Sequence, residues 1–186
     1  MDKALITLEK DSRVARSKEI LVERDREDLG NQAHEIQRIT DDAQQDLDVV
    51  KPELDLAEKA ILEIDRPALV QMKSYVAPPQ VVEDVLKGLC ILFGKKYDWA
   101  TGKNMMQDLN AFINGLINFP KETLKEDVLL KFRKHRFDPK VCFKPEEIKT
   151  RVGPAADLCT WCIAMDTYAS VSKKVMSFFN SYKHKF

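Results

Sequence analysis

One pattern constrains this chain more than any other. Leu29, Ala33, Ile36, Thr40, Ala43, Leu47, Val50, Leu54, Ala57, Ile61 and Ile64 follow at alternating spacings of 4 and 3. That is an a/d heptad seam, and a helix carrying it buries the stripe only against another helix. Extended backward, the same register passes through Val22, Ala15, Leu8 and Leu5. It also puts Arg26, Glu19 and Ser12 on the seam, so the early part is weaker. At about 1.5 Å per residue, about 60 helical residues make a rod of roughly 90 Å. Such a rod must project from any small core. Pro52 lies inside the seam, where it implies either a bend or a tolerated, exposed position.

A second heptad run closes the chain. Leu158, Trp161, Met165, Tyr168, Ser172, Val175, Phe179, Tyr182 and Phe186 alternate at 3 and 4. It is expected to return antiparallel along residues of roughly 45–70, which leaves the first 45 without a partner in this chain. An excised fragment, or pairing with another molecule, accounts for that. The expected divisions are an outgoing coiled-coil arm over 1–77, a helical head over 78–157 and a returning arm over 158–186.

The head reads as five or six short helices. Pro78-Pro79 ends the outgoing arm, because the residue before a proline is pushed out of the α region. Val81, Val82, Val85, Leu86, Leu89, Cys90, Leu92 and Phe93 then form a broad apolar face that stops at Gly94. Short helices are expected around Trp99–Met106 and Asp108–Ile117. Another should start at Pro120 and carry Leu124, Val128, Leu129 and Phe132. A last one should cover Glu146–Arg151, with Pro145 in its first turn. Gly153-Pro154 is expected to break the chain before the returning helix. No period-2 pattern competes, and six glycines are too few for a turn-rich β protein. The expected class is all-α: an antiparallel coiled-coil stalk capped by a small helical bundle.

The zero net charge hides an asymmetry. Residues 1–77 carry 12 Lys/Arg against 18 Asp/Glu, and residues 78–186 the reverse, 18 against 12. The head concentrates its positive charge in Lys131-Phe132-Arg133-Lys134-His135-Arg136, and residues 120–151 hold ten basic against six acidic side chains. A charge run usually ends as a solvated helix face. Here it sits on a compact head opposite an acidic arm, which points to an acidic partner surface. Nucleic acid fits less well, because aromatic residues are not interleaved as a stacking platform. A membrane fits less well, because no helix pairs a basic face with a large apolar one. No apolar stretch approaches the about 20 residues of a membrane span, and Met1-Asp2-Lys3 does not begin a signal peptide.

Catalysis is not expected. Cys159-x-x-Cys162 lacks the second ligand pair of a zinc site and the βαβ setting of a redox motif. Cys90, Cys142, Cys159 and Cys162 lie among apolar residues, as reduced cytosolic thiols do. His34, His135 and His184 are far apart in sequence, no phosphate loop is present, and no carboxylates pair in an apolar setting. Neither a metal nor a cofactor is implied.

The order of these features resembles the stalk and microtubule-binding domain of dynein heavy chains. Lys51-Pro52-Glu53-Leu54, Ala57-Glu58 and Ala60 are similar to the family's outgoing stalk helix, proline included. Val70, Lys73-Ser74-Tyr75, Pro78-Pro79 and Val81 resemble its double-proline junction. Leu89-Cys90-Ile91-Leu92-Phe93-Gly94, Asp98-Trp99 and Asn118-Phe119 follow in the family's order. So do Ala155-Ala156, Leu158-Cys159, Trp161, Ala164-Met165 and Tyr168. The pieces Cys159-x-Trp161 and Ala164-Met165 are closer to axonemal members than to the transport form, and the first head helix is followed by no long insertion.

The resemblance implies a microtubule-binding stalk tip. The arms would link it to a distant ATPase ring, absent from this chain, whose state is read out as a shift in coiled-coil register. The implied partners are tubulin and the rest of the heavy chain, with an axonemal light chain as a further candidate. The implied location is the cytoskeleton of a cilium or flagellum. The implied contact segments are 80–93, 121–136 and 146–157. Their cations are Lys87, Lys121, Lys125, Lys131, Arg133, Lys134, Arg136, Lys149 and Arg151. Two departures stand out: Glu83 where the transport form has a lysine, and Val152 where a serine is usual. An antiparallel coiled-coil adaptor for some other acidic protein is the alternative reading.

Overall fold

The computed structural model describes the backbone of residues 2–183 and the side-chain surroundings of residues 12–177. Within these limits the chain is all-α, with no strand. It divides into two units, Met1–Gln45 and Asp46–Phe186. The first unit is helix throughout its described length. Its seam residues Val22, Leu29 and Ile36 are exposed. Leu5 and Leu8, expected to extend that seam, lie outside the described side chains, as do Phe179, Tyr182 and Phe186 at the other end. His184 lies outside the described residues altogether.

The second unit begins within α1 (Asp2–Leu62). Helix α1 passes through Pro52 without interruption, and the ring is exposed. The seam is deeply buried at Leu54, Ala57 and Ile61. These residues share one core with Leu158, Trp161, Cys162, Met165 and Ala169 of α8 (Gly153–Lys183). The core thus takes in the C-terminal turns of α1 and the N-terminal half of α8.

Two helix boundaries differ from the expected ones. The outgoing arm is not one helix to residue 77. Helix α1 stops at Leu62, and α2 (Arg66–Ser74) starts afresh. The Asp65 carboxylate caps α2 by accepting from the Ala68 amide at 3.0 Å, with a proline in the first turn where its missing N–H costs nothing. Ile64 still reaches the core from the connecting turn, beside Leu69 and Met72 of α2. At the other end, Gly153-Pro154 opens α8 instead of breaking the chain before it. A proline in a first helical turn removes a donor that has no intrahelical partner anyway.

Helix α3 (Gln80–Leu92) starts immediately after the double proline and packs against α8. It ends in a Schellman motif. Lys95 N donates to Cys90 O at 2.8 Å, Gly94 N donates to Ile91 O at 3.0 Å, and Gly94 takes φ +65°. Helices α4 (Trp99–Met105) and α5 (Leu109–Ile117) are each capped by an aspartate, Asp98 and Asp108. Phe93, Phe119 and Trp161 then meet as a ring cluster with centroids 4.9–6.2 Å apart. That cluster ties the ends of α3 and α5 to the start of α8.

The helix expected from Pro120 is divided. Lys121–Thr123 forms a 3-10 turn, and α6 (Glu126–Arg136) begins after Leu124 and Lys125 in extended conformation. Burial of Leu124 accompanies that break. Helix α7 (Pro145–Lys149) is a single turn packed on α8.

Candidate microtubule-facing surface

Helix α6 is three-sided, and its spacing explains why. Leu129, Phe132 and His135 fall on one side and are buried. Phe132 meets Phe143 edge to face at 5.5 Å. His135 donates from Nε2 to the carbonyl oxygen of Asp84 on α3 at 2.7 Å. Asp84 is itself buried, and its carboxylate accepts from Gln80 at 3.0 Å and from the Cys142 amide at 3.1 Å. Thus α3, α6 and the loop after α6 are joined through one aspartate. That role was not foreseen; Asp84 is one of three charged residues in Val81–Leu92, with Glu83 and Lys87, and only its burial sets it apart.

The second side of α6 faces α8. Arg133 Nε donates to Asp166 Oδ1 at 2.8 Å, and Arg136 Nη1 donates to Asp166 Oδ2 at 3.4 Å. Arg133 also donates to the Ser170 hydroxyl, which in turn donates to the Asp166 carbonyl. The Asp166 side chain is only 7% exposed. Nearby, Lys173 of α8 pairs with Glu126 at 3.6 Å. From the 3-10 turn, Lys121 pairs with Glu58 of α1 at 2.8 Å and lies 5.8 Å from the Tyr168 ring centre. Three of the nine expected contact cations are therefore held inside the molecule: Lys121, Arg133 and Arg136.

The third side of α6 faces outward and carries Lys131 and Lys134. Lys131 makes one loose pair with Asp127 at 3.6 Å, both side chains well exposed. Lys87 on α3, Lys125 before α6, Lys149 at the end of α7 and Arg151 after it are also exposed. Among the described residues, no ion pair engages these four or Lys134. Burial raises the half-buried carboxyl of Asp157, and the charge of Lys149 pulls it the other way. Helix α6 collects its cations in its last turn and carries Glu126 and Asp127 in its first, as the helix dipole favours.

The cysteine motif is packing. Cys90, Cys159 and Cys162 are buried and unbridged. Burial pushes the Cys90 thiol to about 11 and the Cys159 thiol to about 12, so both stay protonated at neutral pH. Among the described residues no cluster of His, Cys, Asp and Glu could hold a metal ion, and no helix is long and apolar enough to cross a membrane.

Comparison with known proteins places this geometry. Residues 4–178 match the family described as the microtubule-binding stalk of dynein motor. The chain belongs to that family. It is 30% identical over 168 residues to human dynein axonemal heavy chain 14, covering 90% of this chain. It is 34% identical over 139 residues to human dynein axonemal heavy chain 2, covering 75% of this chain. It is 29% identical over 143 residues to the ciliary dynein beta chain of Tripneustes gratilla, covering 74%. The chain spans only 3–5% of the length of these relatives. A solved structure, the microtubule-binding domain of dynein-c, superposes with a TM-score of 0.61 at 30% identity. The match covers 72% of this chain and 93% of that one. The family is a binding stalk, not the ATPase part of the motor.

Proposed function

We propose that this stalk head grips the acidic surface of a microtubule through the outward cations of α3, α6 and α7. The observation that carries the reading is the division of charge on α6. Lys131 and Lys134 face outward, while Arg133 and Arg136 are drawn onto Asp166. The contact set is then Lys87, Lys125, Lys131, Lys134, Lys149 and Arg151. Lys121, Arg133 and Arg136 act instead by fixing the 3-10 turn and α6 to the arms. Charge pairs of this exposed kind steer encounter and weaken with salt.

The functional division remains an outgoing arm, a head and a returning arm, close to 1–77, 78–157 and 158–186. The arms would connect the head to the ATPase ring of a larger heavy chain and carry its state as a change in register, because a heptad seam offers alternative registers. The axonemal and ciliary relatives favour a cilium or flagellum as the location, with a light chain as a further partner of the head.

Co-sedimentation with microtubules tests the reading. The folded protein, with its arms held in each register tested, should pellet at low salt and less at moderate salt. Lys131→Glu with Lys134→Glu should abolish most of that binding. No pelleting in any register at low salt rules out the microtubule and favours a coiled-coil adaptor. Unchanged pelleting of the double variant moves the contact to another face.

A further inference from the structure

The outward side of α6 is not only basic. Leu130 is 57% exposed and Phe137, which caps the helix, is 69% exposed. At seven residues apart they lie on one stripe, two turns or about 10 Å from each other. Lys134 lies between them on the same side, Lys131 and Asp127 lie beside it, and the Arg136 guanidinium sits 5.1 Å from the Phe137 ring centre. The buried needs of α6 are already met by Leu129, Phe132 and His135 on its other side. Phe137 also forms one wall of a surface recess of about 610 Å³ of mixed charge, where Asp138 and Lys140 lie beside Lys144, itself paired with Glu147 at 2.7 Å.

We propose that Leu130 and Phe137 are apolar anchors that seat α6 on the microtubule, with Lys131 and Lys134 as the charged rim. The occupant is an acidic tubulin surface that presents an apolar strip about two helical turns long. Charge complementarity favours it, because the cations flanking the anchors would repel a second copy of the same face. Interfaces commonly take most of their energy from a few desolvated large side chains, while rim charges set rate and salt sensitivity. The anchors would let the head hold its track when salt has screened its lysines.

This inference rests on the microtubule reading above, and one experiment separates the two. Co-sedimentation is measured across a salt series for the wild type, for Leu130→Ala with Phe137→Ala, and for Lys131→Ala with Lys134→Ala. Melting curves confirm that all three are folded, and analytical ultracentrifugation reports self-association. The anchor variant should bind at least about tenfold more weakly at every salt concentration. The lysine variant should lose most at low salt and converge on the wild type as salt rises. A wild type that binds, with an anchor variant within twofold of it, overturns the anchors alone. A wild type that never pellets overturns both readings. A wild type that self-associates while the anchor variant stays monomeric assigns the face to a second copy and overturns the proposal.

Discussion

Two stretches of α1 share one heptad spelling and end in opposite surroundings. Leu29 is 64% exposed, whereas Ile61 is 0% exposed. The first lies in the unit Met1–Gln45 and the second in the unit Asp46–Phe186. The difference teaches that a seam states which face wants burial, while its worth depends on what stands opposite. Ile61 shares a core with Leu158, Trp161 and Met165 of α8 and with Leu69 and Met72 of α2. Ile61→Ala removes a side chain with many packed neighbours and should cost about 2–5 kcal/mol in chemical denaturation. Leu29→Ala removes one that water already surrounds and should change stability by less than about 0.5 kcal/mol. Equal effects at the two sites would mean that the spelling, not the local packing, sets the stability.

The cations of α6 divide in the same way, between held and unheld. Asp166 satisfies Arg133 and Arg136 together, with Ser170 completing the set. Asp166→Ala would leave two arginines facing a nearly closed site with no counter-charge. The expected loss is about 2 kcal/mol, below the usual range for a fully buried pair because both arginines keep some solvent. Lys131→Ala, by contrast, should shift stability by less than about 0.5 kcal/mol. A measured cost for Asp166→Ala no larger than that for Lys131→Ala would remove the distinction between clamp and contact.

That distinction shows where sequence reading stops. The all-α class, the seam over Leu54–Ile61, the start of α3 after Pro78-Pro79 and the stop at Gly94 are local signals, and they were legible. The short helix around Trp99 was legible too, but the capping role of Asp98 was not read from the sequence. The break at Leu62 was not, because Ile64 keeps the heptad spacing while Asp65 and Pro67 restart the helix beneath it. The Gly-Pro pair at 153–154 carries two meanings, a stop or a first turn, and packing against α7 decides between them. At the site, the nine cations were visible as charges. Which three are engaged internally was not, because Arg133 meets Asp166 and Lys121 meets Glu58 only through tertiary approach.

The thiols give the smallest and finest version of the contrast. Cys142 is half-buried in the loop after α6, while Cys90, Cys159 and Cys162 are buried in the head core. Burial raises the folded pKa values of Cys90 to about 11 and Cys159 to about 12. A raised thiol pKa favours the protonated folded form, so the stability it contributes is complete below the ordinary thiol value near 9. That contribution is lost as pH climbs from there toward the folded values. In native protein from about pH 7 to about pH 9, an alkylating reagent should therefore label Cys142 faster than the other three, because the core thiols are closed off from the reagent and burial keeps them largely protonated. Mass mapping of the labelled peptides reads this directly. Labelling of Cys90 or Cys159 at the rate of Cys142 would show that the head opens to solvent around α3 and α8. The outward cations would then belong to a mobile surface, not to one held by Asp84 and Asp166.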